Sequence, residues 1–174
     1  MAARLMRTDA AAKEGLNELI EMLPNNLVGV EIGSYAGESS ELFAASKKFN
    51  CLYCVDFWQK DFYPNGRETG ELEFDLVKKK YPQIHKIKID NRFIVDVLYQ
   101  LNPDFVYIDA DHEYESVKQN IKDALTLLNG KGIIAGHDYI DTPANPFGGV
   151  IKAVNELVGT PDKIFKDTSW IKFL

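Results

Sequence analysis

Short strand-like runs alternate with helix-like stretches along most of this chain, and this alternation constrains the fold more than any other feature. The runs at 27–32, 51–55, 105–108 and 132–135 are apolar and have the length of strands buried on both faces. A fifth run, at 84–89, alternates isoleucine with lysine. Strands separated by helices pair in parallel, so the sequence predicts an α/β fold.

Six helices are predicted from residues that recur at helical spacing on one face. Asp90 or Asn91 is placed to cap the fourth helix, and Asn129 with Gly130 is a typical end for the fifth. The helices span 9–23, 38–46 and four stretches marked by Leu72, Leu76 and Val77, by Phe93, Ile94, Val97 and Leu98, by Val117, Ile121, Ala124, Leu125 and Leu128, and by Val150, Val154, Leu157 and Val158.

Two further strands are predicted at 164–165 and 170–174. The gap between them is too short for a parallel crossover, which needs about a dozen residues or more, so they must pair antiparallel as a hairpin. The expected fold is therefore a mostly parallel sheet of seven strands with helices on both faces and a C-terminal antiparallel hairpin. The chain is expected to form one domain, 1–174, with an N-terminal helix in 1–24 and a core in 27–174.

Composition and charge bear on the partners. With 174 residues, 45% of them hydrophobic, the chain can bury a core without disulfide or metal support. Its net charge of −6 repels a polyphosphate, so no nucleic-acid partner is expected. No apolar run approaches the roughly 18–20 residues that span a bilayer, and no secretory signal is recognisable, so a cytoplasmic location and no membrane partner are expected.

The two cysteines, Cys51 and Cys54, form a CxxC spacing that also occurs in redox and zinc sites. Here they lie within an apolar, β-prone segment, whereas a redox pair sits at a helix N-terminus. No second cysteine pair completes a zinc site. We therefore expect Cys51 and Cys54 to lie in a buried strand.

Glycines and an acid follow the first two strands. The first strand runs into Glu31, Gly33 and Gly37 in an ExGxxxG pattern, and the second ends at Asp56. An acid in that position can accept hydrogen bonds from ribose hydroxyls, so the pattern predicts a nucleoside-bearing cofactor. The GxGxxG spacing that binds a pyrophosphate is missing. The alternative is that Gly33 and Gly37 only form a tight turn between strand and helix and that Asp56 is a solvated strand end.

Acidic and imidazole side chains follow the fourth and fifth strands. Neighbouring parallel strands would bring these ends together, and such ligands suit Mg²⁺ or Mn²⁺. Alternatively, Asp111 caps the next helix, and one of the histidines is structural. The residues are Asp109, Asp111, His112, His137 and Asp138.

Three segments, VGVEIGSYAGESS, LYCVDFW and DFVYIDADHEYESVKQNIKDALTLLNGKGIIAGHDY, together resemble the class I S-adenosylmethionine-dependent methyltransferases. The last segment is most similar to the small-molecule O-methyltransferases of the macrocin and catechol types. The resemblance extends over residues 27–170 and implies a Rossmann-like fold, S-adenosylmethionine as cofactor and a single methyltransferase domain.

The resemblance also assigns roles to individual residues. It places the first loop around the methionine part of the cofactor, the acid of strand two on the ribose, and the end of strand three beside the adenine. The cofactor residues would be Glu31, Gly33, Ser34, Tyr35, Gly37, Asp56, Phe57, Asp90, Asn91 and Asp109. A divalent cation would be held by Asp109, His137 and Asp138. The strand-five pair departs from the catechol type, which has Asp then Asn where this chain has His then Asp.

The function expected from these features is methyl transfer from S-adenosylmethionine to a hydroxyl of a small-molecule acceptor, assisted by a divalent cation. Asp109, His112 and His137 are the candidate catalytic residues, with His112 as the candidate general base. An NAD-dependent oxidoreductase and a cofactor-binding module without turnover stay open as alternatives. The sequence leaves the acceptor and homo-oligomer formation undetermined.

Overall fold

The computed structural model describes residues 10–59, 70–141 and 148–174, which form one sheet with helices on both faces. The strands are β1 (Leu27–Ile32), β2 (Phe49–Asp56), β3 (Ile84–Lys88), β4 (Phe105–Ile108), β5 (Ile133–Gly136), β6 (Lys163–Ile164) and β7 (Trp170–Phe173). The helices are α1 (Ala10–Met22), α2 (Glu38–Ala45), α3 (Gly70–Lys80), α4 (Ile94–Leu98), α5 (Tyr114–Leu128) and α6 (Gly148–Leu157), with a 3₁₀ turn at Asn91–Phe93 before α4.

The seven strands lie in the order β3-β2-β1-β4-β5-β7-β6. The first five pair in parallel, while β7 pairs antiparallel with both β5 and β6. The predicted seven-stranded, Rossmann-like sheet with its C-terminal hairpin is thus confirmed. Strand order reverses between β1 and β4, and in such sheets ligands bind outside the carboxyl ends of the strands at that reversal.

The core has two layers, one on each side of the sheet. On one side the rings of Phe43, Phe49, Phe105 and Tyr107 pack edge to face, with centroids of Phe43 and Tyr107 5.1 Å apart. On the other side α5 buries an apolar stripe against β4 and β5. Because β4 and β5 are buried on both faces and have no side exposed to water, their sequences are continuous apolar runs.

The predicted buried faces of α3 and α4 are partly wrong. Leu72 and Leu76 are each 65% exposed, and Phe74 is fully buried in their place. Successive residues of a helix are about 100° apart around its axis, so Leu72 and Leu76, each two positions from Phe74, lie on the opposite side of α3 and point outward. The ring of Phe74 packs on Trp58, with centroids 4.8 Å apart, so the larger aromatic surface decides which side of α3 faces the sheet.

In α4, Ile94 and Leu98 are buried, whereas Phe93 and Val97 are about half exposed. Both pairs have i, i+4 spacing, so the apolar pattern did not distinguish the two faces. Asp90, one of the two caps predicted for this helix, instead caps the 3₁₀ turn before it, since its carboxylate accepts from the backbone N–H of Arg92.

The CxxC segment lies in strand β2, as predicted, with Cys54 fully buried and Cys51 partly buried. The sequence shows its two longest irregular stretches at 57–70 and 139–149, and most of each, 60–69 and 142–147, lies outside the described residues. Within the part of the chain that is described, no helix has the length and apolar character needed to cross a bilayer.

Candidate functional site

The turn that follows β1 is pressed against the end of β4. Gly33 has φ of +93°, and a Cβ built on it would lie 2.1 Å from the carbonyl oxygen of Asp109. Its N–H donates to the carbonyl oxygen of Val55 in β2. Because an added side chain would collide with backbone rather than with a flexible group, only glycine fits here. The turn thereby brings the ends of β1, β2 and β4 together.

Glu31 is a fully buried acid beneath that turn. Its carboxylate accepts hydrogen bonds from the hydroxyls of Ser34, Ser39 and Ser40. Burial raises the pKa of Glu31, although the serine hydroxyls and the Cys54 thiol favour the charged form. The contacts that occupy this carboxylate all come from the protein interior. Through these bonds Glu31 positions the turn and the first residues of α2. Its contact with the cofactor stays a prediction.

We expect Glu31→Gln to gain stability relative to the wild type as pH rises above the ordinary carboxyl value of 4.5. In that window the native Glu31 keeps a proton that the unfolded chain has lost, so the wild type loses stability with rising pH, by up to about 1.4 kcal/mol per pH unit. Glutamine does not titrate. Urea unfolding of both proteins at several pH values measures the difference.

Ser39→Ala is the matched control for this series, because it removes one donor and keeps the titrating carboxyl. Its stability relative to the wild type should vary much less with pH. A pH-independent difference between Glu31→Gln and the wild type would show that Glu31 titrates alike in the folded and unfolded states.

Asp56, at the end of β2, joins the turns that follow the first two strands. One carboxylate oxygen accepts from the Tyr35 N–H and the other from the Trp58 N–H, each at 2.9 Å. The indole Nε1 of Trp58 donates to the Tyr35 carbonyl oxygen at 2.6 Å. The acid therefore lies beside the glycine turn, where the sequence placed it. Its ribose role stays a prediction.

The end of β3 forms a small capped turn. Both carboxylate oxygens of Asp90 bond to the guanidinium of Arg92, at 3.0 and 2.7 Å, and this pairing lowers the pKa of Asp90. Asn91 begins the 3₁₀ turn, and Phe57 is half buried directly after Asp56. The adenine contacts of Asp90 and Asn91 stay a prediction.

Acidic and imidazole groups gather where β4 and β5 end, as predicted. Ligand atoms of Asp109, His137 and Asp138 all lie within 4.8 Å of one another. The Nδ1 of His137 is 3.0 Å from one Asp138 oxygen and 3.9 Å from an Asp109 oxygen. His112 approaches from the loop before α5, with Nε2 2.8 Å from the other Asp138 oxygen. We call these four residues the acid–imidazole cluster.

Charge pairing dominates the electrostatics of the acid–imidazole cluster. Burial alone would raise the pKa of Asp138, but hydrogen bonds from His112 and His137 outweigh it and hold that pKa far below its usual range. Burial would lower the pKa of His112, but Asp138 and the neighbouring Asp109 and Asp111 raise it. Asp138 therefore stays ionised, and its charge stabilises a cation beside it.

Asp111 lies outside the acid–imidazole cluster. One of its oxygens accepts from the backbone N–H groups of His112 and Glu113, at 2.7 and 3.2 Å, just before α5 begins. Burial acts to raise the pKa of Asp111, but bonds from Ser116 and these two N–H groups lower it overall. Both N–H groups lie before the first residue of α5, and the N-cap residue of this helix is Glu113. Asp111 therefore orders the loop that leads into α5, and the predicted helix cap is wrong.

Two cavities lie at opposite edges of the sheet. An open one of about 440 Å³ lies at the amino ends of the strands, between residues such as Asn25, Asp104 and Phe173. A narrow one of about 10 Å³ lies at the carboxyl ends, beside the acid–imidazole cluster. We place the site at the narrow cavity, because the titratable groups and the strand-order reversal are there.

The sequence reasoning missed Trp170, which lines this narrow cavity. The predicted hairpin did not reveal it, because the sequence left open which of its two strands pairs with β5. An antiparallel strand beside β5 must begin where β5 ends, so the first residue of β7 falls at the functional edge of the sheet.

Comparisons with known proteins agree with this geometry. A family model described as "Methyltransferase domain" matches residues 30–139, which contain the glycine turn, Asp56 and the acid–imidazole cluster. An uncharacterized protein of Acanthamoeba polyphaga mimivirus is 27% identical over 136 residues, which cover 77% of this chain. The same alignment spans 60% of the length of that viral protein.

Two solved structures share the fold. The precorrin-6y C5,15-methyltransferase of Geobacter metallireducens has a TM-score of 0.63 and 15% identity, covering 90% of this chain and 75% of its own. The fibrillarin of Aeropyrum pernix was solved with natively bound S-adenosyl-L-methionine. It has a TM-score of 0.61 and 15% identity, and the match covers 92% of this chain and 74% of the fibrillarin chain.

Proposed function

Because this chain belongs to the family of methyltransferase domains, we propose that it transfers a methyl group from S-adenosylmethionine to a hydroxyl of a small-molecule acceptor. The observation that carries the proposal is the placement of two sites on either side of the strand-order reversal. The glycine turn with Asp56 lies on the β1–β2 side, and the acid–imidazole cluster lies on the β4–β5 side. We propose that 1–174 acts as one methyltransferase domain.

The turn after β1 is suited to the cofactor because its backbone comes close to a ligand without side chains in between. Gly33 and Gly37 both have positive φ, and Asp56 holds the intervening Tyr35 by its N–H. In this proposal the methionine part lies along the turn, and Asp56 accepts from the ribose hydroxyls. Each carboxylate oxygen has a second lone pair for that purpose, beyond the one used by the backbone.

The acid–imidazole cluster also fits a divalent cation. Two carboxylates and one imidazole with ligand atoms within 4.8 Å are a donor set that Mg²⁺ or Mn²⁺ accepts. Asp109, His137 and Asp138 would hold the ion, as the sequence predicted. When bound, such an ion orients an acceptor hydroxyl and lowers its pKa.

His112 is placed to take the proton that the acceptor hydroxyl loses. Its Nε2 is bonded to Asp138, and the charge of Asp138 stabilises the imidazolium that forms when the ring accepts a proton. Methyl transfer is an in-line displacement, so the remaining task of these residues is to hold the acceptor oxygen in line with the sulfonium methyl group.

A small-molecule acceptor is favoured by the charge of the chain. The net charge is −6, and the candidate site adds two carboxylates, Asp109 and Asp138, to the surface that an acceptor must approach. A polyphosphate would be repelled there. The acceptor proposed is therefore a neutral or cationic hydroxyl compound.

Thermal denaturation with candidate cofactors tests the proposed function. A ligand at 100 times its dissociation constant stabilises the folded state by about 2.7 kcal/mol, which corresponds to a rise in Tm of roughly 5–11 °C for a domain of this size. We expect such a rise with S-adenosylhomocysteine and none with NAD at equal concentration. A rise with NAD alone would favour the oxidoreductase alternative and contradict the proposal.

A further inference from the structure

We propose that Trp170 binds the acceptor, by donating its indole N–H to an acceptor oxygen other than the one that is methylated. This inference rests on the proposed function and deepens it. It adds a specificity-determining residue from the C-terminal hairpin, and it requires an acceptor with a second oxygen near the reacting hydroxyl.

The indole N–H of Trp170 lacks a hydrogen bond partner among the residues that the structure describes. Trp170 is only 1% exposed, so bulk water does not satisfy this donor. Leaving a buried donor unpaired costs about 1–3 kcal/mol, and native proteins seldom tolerate that cost without a reason. Indole nitrogen is a donor only, so the missing partner must be an acceptor atom and cannot be a cation.

The position of the indole places this donor at the acid–imidazole cluster. Trp170 pairs with Gly136 across the β5–β7 ladder. A Cβ built on Gly136 would lie 2.9 Å from the indole Nε1, so the N–H edge of the ring covers the residue just before His137. Gly136 is therefore needed to let the ring approach the backbone so closely.

The cavity beside the indole sets the size of the group it can take. Its volume of about 10 Å³ is close to the space that one water-sized group needs. It is lined by Trp170 together with Asp109, His137 and Asp138. An N–H donor beside carboxylate acceptors is complementary to a hydroxyl, which both accepts and donates.

A transferred methyl group would not fit in this cavity. The hydroxyl that enters it is therefore an anchoring hydroxyl, and the reacting one lies outside it, towards the cofactor. Ordered water offers the same chemistry as the anchoring hydroxyl, and the experiment below distinguishes the two.

The two tryptophans of the chain provide one reporter for each half of the site. Trp58 donates its indole N–H to Tyr35 in the cofactor turn, and Trp170 lines the acceptor cavity. A ¹H–¹⁵N spectrum of protein labelled on tryptophan should show two indole signals, and Trp170→Phe assigns them. S-adenosylhomocysteine should shift the Trp58 signal; if it does not, the proposed function fails whatever Trp170 does.

The acceptor arm uses catechol and methyl α-glucoside as polyhydroxy probes, each added with S-adenosylhomocysteine and Mg²⁺ present. We expect at least one of them to shift the Trp170 signal, and 1,2-dimethoxybenzene, which has no hydroxyl, to leave it in place. A Trp170 signal that neither polyhydroxy probe moves overturns the inference. The inference is also overturned if a cross-relaxation peak between water and the Trp170 indole N–H persists at a saturating concentration of the probe, because water would then occupy the place of the anchoring hydroxyl.

Trp170→Phe keeps a ring in the core and removes the donor. It should weaken binding of the active probe about three- to tenfold, the usual worth of one hydrogen bond. Calorimetry should show unchanged affinity for S-adenosylhomocysteine, because the ring lies away from the cofactor turn. Unchanged probe affinity in a folded Trp170→Phe protein contradicts the inference.

Discussion

Replacing Asp138 with asparagine should abolish binding of Mn²⁺ by the protein, raising its dissociation constant at least about 100-fold. Loss of residues that only support a metal ligand already costs about 10- to 100-fold, and Asp138 would be a ligand itself. Asparagine keeps the shape of the side chain and tolerates the left-handed backbone of Asp138, whose φ is +60°. Manganese titration followed by calorimetry or paramagnetic resonance measures the change.

Asp111→Asn is the matched control for Asp138→Asn. It removes the same charge two residues from Asp109, but Asp111 accepts from the backbone N–H groups of His112 and Glu113 before α5 and is not one of the proposed ligands. The side-chain oxygen of asparagine can accept from the same two N–H groups, so both the fold and Mn²⁺ affinity should be kept. Equal Mn²⁺ affinity in Asp138→Asn and in the wild type would eliminate the proposed cation site. His112 and Asp138 would then remain as a base and its orienting acid.

The second large effect is expected at Asp56. Asp56→Asn should weaken binding of S-adenosylhomocysteine about 100-fold, because hydrogen bonds to a charged group contribute about 1.5–3 kcal/mol each. The amide offers one acceptor where the carboxylate offers two, so it cannot serve both the Tyr35 and the Trp58 N–H groups. The substitution removes the charge facing the ribose and disturbs the turn that holds the methionine part. Calorimetry gives the dissociation constant.

Asp104→Asn separates local structural damage from loss of cofactor contacts. The carboxylate of Asp104 also accepts a backbone N–H from a neighbouring strand, that of Val28 at 2.9 Å, but it lies at the opposite edge of the sheet. We expect this variant to lose some stability and to bind S-adenosylhomocysteine normally. Undiminished affinity in a folded Asp56→Asn protein would remove the ribose assignment.

Local patterns predicted the strands well because their cause is local. Strand β1 was placed at 27–32 and β4 at 105–108, and both match the structure, since a strand buried on both faces is apolar at nearly every position; Glu31 is the exception in β1. The hairpin followed from the length of one connection. The faces of α3 and α4 were predicted only in part, because Leu72 and Phe74 are equally plausible as buried residues until the sheet beside them is known.

The sequence identified the charged residues of the site, but it did not identify the groups to which they are hydrogen-bonded. Asp109, His137 and Asp138 were expected together, because parallel strands end at one edge. The hydrogen bonds of Glu31 with three serines, and those of Asp111 with the loop before α5, depend on which hydroxyls and N–H groups come within about 3 Å. Such distances follow from packing.

The sequence by itself determined the alternation of elements, the antiparallel hairpin and the strand ends that carry the chemistry. These depend on periodicity, turn residues and connection length, which are properties of neighbouring residues. Tertiary structure alone decided that Asp56 joins two turns and that Trp170 reaches the acid–imidazole cluster from the last strand. Contacts between distant segments exist only when the whole sheet is assembled and its layers are packed, because hydrogen bonds and buried groups depend on ångström-scale distances that no local pattern encodes.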